Sequence, residues 1–184
     1  MDEELVKLRH ILDKCCEHRP WFPDHLWTDP SVRRAAANAY LAESCANGRV
    51  WEVWRGAEVV GILTLRDIAP QLDASCHFIF FDRELRNKRA LCRSVMRRAF
   101  EEYQLHALRV EVPEYAANLI GFLRKALGFR FESERWLNLA DAKKASRKYQ
   151  ATLYDGRWND TYLLSVTREE FKRYERPQDQ TQQR

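Results

Sequence analysis

LRVEVPEYAANLIGFLRKALGFRFES, residues 108–133, is the stretch on which the fold turns. Its opening, Leu108-Arg109-Val110-Glu111-Val112, alternates apolar and charged residues, the two-residue period of a strand with one buried face. Pro113 opens a helix in which Leu119, Leu123 and Ala126 recur at helical spacing. Gly128 stands where a helix reverses its chain, and residues 129–135 read as a further strand.

Working back from that unit, Leu91, Cys92, Val95, Met96, Ala99, Phe100 and Tyr103 form one wide apolar helix face. Residues 76–81, Cys-His-Phe-Ile-Phe-Phe, form a strand apolar enough to be buried on both faces. A polar loop with Pro70 occupies residues 67–75. Residues 50–54 and 59–66 are strands joined by the turn Arg55-Gly56-Ala57-Glu58. Asp29-Pro30 is an N-cap followed by proline at the first helical position, and Asn47-Gly48 closes that helix. An aromatic loop with Trp21, Phe22 and Trp27 precedes it, and residues 3–18 form an amphipathic helix. Forward of residue 135, a basic helix-compatible run at 137–148 leads to a short strand near 149–153 and the turn Asp155-Gly156. The last strand is expected at 161–166, and Thr167-Arg168-Glu169-Glu170 is a capping box for a final helix.

The order α-α-β-β-β-α-β-α-β-insert-β indicates an α/β chain with a mixed sheet and helices on both faces. No linker divides it. We expect a single domain over 1–176: helices at 3–18 and 29–46, a core at 50–135, an insert at 137–157, and a last strand and helix at 160–175. Residues 177–184 form a polar, glutamine-rich tail.

The chain has 184 residues, 45% hydrophobic and 32% charged, which is a globular composition with enough apolar side chain for a sizeable core. No stretch has the ~20 apolar residues of a membrane span, and the acidic start Met1-Asp2-Glu3-Glu4 lacks the character of a signal peptide. Both features lead us to expect a cytoplasmic protein without a membrane partner. The five cysteines form no CxxC pair, so the expectation is reduced thiols, neither a disulfide framework nor a metal site.

With these motifs in order, residues 30–170 resemble the GNAT superfamily of acetyl-CoA-dependent N-acetyltransferases. The resemblance rests on the strand at 108–112, on Leu127-Gly128-Phe129 with the acidic residue after it, and on the run from Phe100 to Arg109. It rests also on Asp155-Gly156-Arg157-Trp158-Asn159-Asp160-Thr161-Tyr162-Leu163-Leu164-Ser165, similar to the branch that acetylates protein N-termini and antibiotics. It implies a GNAT-like fold whose fourth and fifth strands, here 76–81 and 107–112, splay apart around acetyl-CoA. The ends of those strands (Phe80, Phe81), the loop Arg86-Asn87-Lys88-Arg89-Ala90 and the helix residue Asn118 are the implied coenzyme contacts. The family's loop glycines are replaced by Arg89 and Leu91, so phosphate would be held through the charges of Arg86, Lys88 and Arg89. The family's helix tyrosine position is taken by Arg124, with Tyr115 too far along the helix to replace it.

An amine acceptor needs a base. Glu111 and Glu52 are the candidates, and His77 is either a third or a packed strand residue. Trp21, Phe22 and Trp27 either line the acceptor site or pack in the core. Arg86, Arg89, Arg93 and Arg97 lie on one helix flank, as a solvated face, a phosphate site, or a surface for protein or nucleic acid. The function implied is transfer of acetyl from acetyl-CoA to a primary amine on a small molecule or a protein N-terminus. The alternatives are a GNAT-fold binding or assembly protein without activity, of a kind phages encode, whose ligand is a protein partner, and a nucleic-acid-associated protein.

Overall fold

The computed structural model describes residues 3–175. Helix α1 (Glu3–Glu17) is followed by a short helix α2 (Asp24–Trp27) inside the aromatic loop, and by α3 (Pro30–Ala46). Asp29 caps α3 as expected, its carboxylate accepting from Ser31 N–H at 2.7 Å, with Pro30 at the first position. Strands β1 (Arg49–Arg55), β2 (Glu58–Ala69) and β3 (Asp73–Phe80) form an antiparallel meander. Helix α4 (Lys88–Glu102) leads to β4 (Ala107–Pro113), and α5 (Asn118–Leu127) to the two-residue β5 (Arg130–Phe131). Then come α6 (Leu139–Ala145), β6 (Arg147–Tyr154), β7 (Arg157–Thr167) and α7 (Arg168–Glu175). The seven-stranded sheet runs β1-β2-β3-β4-β7-β5, with β6 also paired to β7.

Two apolar layers sandwich the sheet. Leu63, Leu65, Cys76, Leu108, Val110 and Leu164 meet α4 and α5 on one face. Ile62 and Ile79 meet Ile11, Cys15, Ala37 and Leu41 of α1 and α3 on the other. Strand β2 is buried from Val59 to Leu65 because it alternates into both layers. Cys15, Cys76 and Cys92 are buried, Cys45 is exposed, and all five cysteines are free thiols. Burial lifts the Cys15 and Cys92 thiols to about 12, which makes them inert packing.

The structure corrects several sequence-based boundaries. Residues 67–75 are not a loop throughout: β2 and β3 extend until Ala69 pairs with Asp73, leaving a tight turn around Pro70. Asp67 (φ 50°) and Gln71 (φ 66°) take the irregular positions of that bulged end. Pro113 closes β4 rather than opening a helix. A 3-10 turn at Glu114–Ala116 intervenes before α5. The strand expected at 129–135 is only Arg130–Phe131, because Glu132–Arg135 forms a 3-10 turn. There the Glu134 carboxylate accepts from Phe131 N–H at 3.2 Å and pairs with Arg124. The basic run is a helix only over Leu139–Ala145. From Arg147 it pairs with β7, which starts at Arg157 because Asp155 (φ 50°) and Gly156 (φ 70°) make a tight hairpin turn. The tail at 177–184 lies outside the described residues.

The capping box at the last helix is present. Thr167 N–H donates to Glu170 at 2.8 Å, and Glu170 N–H donates to Thr167 Oγ1 at 3.3 Å. Burial would raise the Glu170 carboxyl, but Arg135, at 3.0 Å, and the Thr167 donors outweigh it and hold the group at about 2. A depressed carboxyl stabilises the fold above its ordinary value of 4.5 and ceases to as pH falls toward 2. Glu170→Gln is therefore expected to cost about 1–3 kcal/mol at neutral pH and to flatten the stability loss between those values. Urea unfolding at a series of pH values measures this.

Candidate functional site

Strands β3 and β4 run parallel and pair only at Asp73↔Ala107, Ala74↔Leu108 and Ser75↔Arg109. Beyond Ser75 they part, as the resemblance implies for this pair, which stands third and fourth in the chain rather than fourth and fifth. At the fork the Cys76 thiol donates to the Arg109 carbonyl at 3.3 Å. Phe81 N–H donates to Val60 at 2.9 Å, so the alternation of an antiparallel ladder commits the odd residues of β3 to β2. The N–H groups of Phe78 and Phe80 therefore face the gap. Of the two expected coenzyme contacts on this strand, Phe80 has its amide there and Phe81 does not.

The loop from Asp82 leads directly to the N-terminus of α4. Asn87 takes the left-handed conformation (φ 68°) and its side chain caps nothing, so the first amides of α4 keep their donors. Asn87, and neither Arg89 nor Leu91, carries the left-handed backbone of this loop. Leu91 and Leu85 pack on the core, turned away from the loop's outer surface. Lys88 is spent inside the loop, donating to the Arg83 carbonyl at 2.6 Å. Arg86 and Arg89 are exposed. No carboxylate pairs with either among the described residues. Ala90 lies exposed in the first turn of α4, and Asn118 stands exposed at the first residue of α5.

The remaining arginines of the stripe are occupied. Arg93 donates to the Ala126 carbonyl at 3.2 Å and lies over the Tyr174 ring, and Arg97 pairs with Glu175 at 2.7 Å. The stripe is thus two exposed cations at the loop and two that tie α4 to α5 and α7.

On the α3 side of the gap, Glu111 and His77 are the first same-face residues past the fork, two beyond Arg109 and Ser75. Glu111 is exposed and pairs with Lys148 of β6 at 2.6 Å. Glu52 is not brought to this place. It lies on β1, separated from the gap by β2 and β3, and accepts from Trp54 Nε1 at 2.7 Å. Tyr40 of α3 reaches over β2 to His77, hydroxyl to Nδ1 at 2.7 Å, and to Thr64 Oγ1 at 2.7 Å. Trp21 meets the Tyr40 ring edge-on at 4.7 Å.

Residues 18–27 cross the open end of the gap as a strap. His18 packs on Phe81 at one side (5.7 Å between ring centroids). At the other, Tyr115 donates to the Pro20 carbonyl at 3.1 Å. Asp24 accepts from the Asp155 and Gly156 amides at 2.9 and 2.7 Å, and Arg19 bridges Asp24 and Asp155. Arg19 also lies 3.9 Å over Tyr154, which stacks on Tyr115 at 3.9 Å. Burial, reinforced by Tyr154, raises the Tyr115 hydroxyl to about 12, which suits a tether rather than an acid. Phe22 is core, 3% exposed, while Trp21 faces the His77–Tyr40 wall. Arg124, at the family's tyrosine position, is held by Glu134 and serves packing.

Among the described residues no three His, Cys, Asp or Glu converge as a metal site, and no helix is long and apolar enough to cross a membrane. No protein-family model matches the chain. No curated protein matches it in sequence. Solved structures do match. A spermidine N-acetyltransferase from Vibrio cholerae, in complex with CoA and spermine, superposes with a TM-score of 0.66 at 13% identity, covering 94% of this chain and 95% of that one. A ribosomal-protein-alanine N-acetyltransferase from Brucella melitensis gives 0.59 at 15% identity, over 91% and 96% of the two chains. The chain therefore has the GNAT fold of these N-acetyltransferases.

Proposed function

We propose that the protein is an N-acyltransferase that moves acetyl from acetyl-CoA to a primary amine. The observation that carries this reading is the parting of β3 and β4 beyond Ser75, with unpaired strand amides inside the gap and an uncapped helix N-terminus at its end. A pantetheine arm needs backbone partners, which Phe78 and Phe80 offer. A pyrophosphate needs N–H donors and cations, which the first turn of α4, Arg86 and Arg89 offer. The residues present thus suit the coenzyme without the family's glycines. Asn118 and Ala90 border the same end of the gap. When bound, acetyl-CoA supplies the thioester carbonyl that an amine can attack and the thiolate that leaves. The strand amides are the donors that would steady charge on that carbonyl. Glu111, across from His77, draws an ammonium group into place, with Lys148 as the counter-ion it exchanges. Two of the four stripe arginines are tied within the fold, which supports a coenzyme-loop reading of the stripe over a basic track for nucleic acid.

The acceptor belongs to the small-amine or N-terminal-amine class of the similar enzymes. The test is release of free thiol from acetyl-CoA with a panel containing spermidine, spermine and an alanine-terminated peptide. Turnover with one member, above the rate with water alone, is expected. No thiol release with any primary amine, from protein that melts cooperatively, sinks the reading and favours the inactive binding protein.

A further inference from the structure

We infer that His77 is the proton acceptor for the incoming amine, through Nε2, and that Tyr40 fixes its tautomer. This deepens the acyltransferase reading and rests on it. Three observations carry it. His77 and Glu111 are the first residues past the fork that share a face, one on each wall, and the next residue, Phe78, directs its amide into the gap. His77 Nδ1 is engaged by Tyr40 at 2.7 Å, and that hydroxyl continues to the buried Thr64 at 2.7 Å. Nε2 has no protein partner among the described residues and is not sealed in the interior. A histidine with one nitrogen held from behind and the other left unpartnered beside the gap has the arrangement of a general base.

On this inference the Tyr40–Thr64 chain runs away from the ring, a direction that the two 2.7 Å contacts permit. With Nδ1–H donating to Tyr40 and the Tyr40 hydroxyl donating to Thr64, the lone pair lies on Nε2. The rings of Tyr40 and His77 are nearly parallel at 14°, with centroids 5.7 Å apart. Trp21 from the strap and Arg66 from β2, 4.7 Å over the ring, hold Tyr40 from its other sides. The charged groups around His77 are Arg66 and Asp67 on β2 and Glu111 on β4, with Tyr40 above. Glu43 neutralises Arg66, and Lys148 neutralises Glu111. Burial first, and Arg66 second, lower the imidazole below its ordinary 6.5, against the pull of Glu111 and Asp67. The ring is thus neutral and able to accept at neutral pH.

The step balances. A proton passes from the acceptor ammonium to Nε2, giving free amine and imidazolium. The amine nitrogen then bonds to the thioester carbon and the C–S bond breaks. A second N–H proton leaves with the sulfur as thiol, and the imidazolium returns its proton to water. Glu111, already paired with Lys148, attracts the cation but does not take the proton.

Two readouts test this on the full chain. The first is nitrogen NMR of protein labelled at histidine, with His77 assigned by the spectrum of His77→Gln. Hydrogen on Nδ1, a titrating Nε2 below 6.5, and a change of tautomer in Tyr40→Phe are expected. Hydrogen on Nε2 in the neutral ring, or no titration, overturns the inference without any assay of turnover. The second is the pH profile of kcat/KM with the amine that turns over best. His77→Gln should lose about 100- to 10,000-fold and its acid limb, while Tyr40→Phe keeps the limb at a shifted pH. An unchanged limb in His77→Gln overturns the role of His77 and leaves the acyltransferase reading standing. Absence of turnover in the wild type overturns both. Tyr40→Phe, which removes one oxygen, keeps the comparison open if His77→Gln does not fold.

Discussion

Gly48→Ala is expected to destabilise the protein by about 3 kcal/mol or more, while Gly121→Ala raises stability by about 0.5–1 kcal/mol. A Cβ on Gly48 would lie 2.0 Å from the Leu65 carbonyl oxygen and 3.0 Å from that of Ser44. Both are backbone atoms, one in the centre of β2 and one in the last turns of α3, so neither can swing aside. The junction of α3 and β1 must then move as a unit, and Tyr40 on α3 moves with it. Gly121 in α5 meets nothing within 4 Å, so its substitution only removes freedom from the unfolded chain and favours the helix. Urea unfolding of the two variants and the parent measures the contrast. For a chain of this size, the Gly48 variant should melt about 6–12 °C lower. Equal stability of Gly48→Ala and the parent would show that the α3–β1 junction is looser than described.

The second large effect concerns the coenzyme. Arg86→Ala with Arg89→Ala is expected to weaken CoA binding by about 150-fold. Each lost charge-assisted bond to phosphate contributes about 1.5 kcal/mol where water also competes. The native affinity should fall with added salt, and the double variant should lose most of that dependence. Arg98→Ala is the control. Arg98 sits on the same helix but pairs with Glu102 four residues on, away from the loop, and its loss should leave CoA affinity unchanged. An unchanged affinity in the double variant would place the phosphates elsewhere than the N-terminus of α4.

Local chemistry made much of the fold legible in the sequence. Asp29-Pro30, Gly128, Asp155-Gly156 and Thr167–Glu170 each satisfy backbone groups within a few residues, and each stands where the sequence puts it. Gly48 stands at the right place for a different reason, close backbone approach rather than a left-handed cap. The strand after Phe129 is shorter than its apolar pattern predicts because the Glu134 carboxylate takes the Phe131 amide.

The site was less legible because its contacts are long in sequence. Arg19 meets Asp155 across 136 residues, and Tyr40 meets His77 across 37. No periodicity records such pairs, so nothing in the sequence marks Tyr40 or the strap residue Arg19. Glu52 and Glu111 are equivalent in sequence, each a carboxylate in an alternating strand. Only the sheet order separates the one at the gap from the one two strands away. The loop lacks glycine where the family carries it. The structure locates the positive φ at Asn87, a residue type that tolerates it.

The central claim is that the gap between β3 and β4 holds a coenzyme. Calorimetric titration of the full chain with CoA tests it most directly. Saturable binding at one site per chain is expected, with a rise in the melting midpoint that matches about 2.7 kcal/mol in stability at 100 times the Kd. Absence of heat, and an unmoved midpoint at millimolar CoA in a cooperatively folding protein, would contradict it.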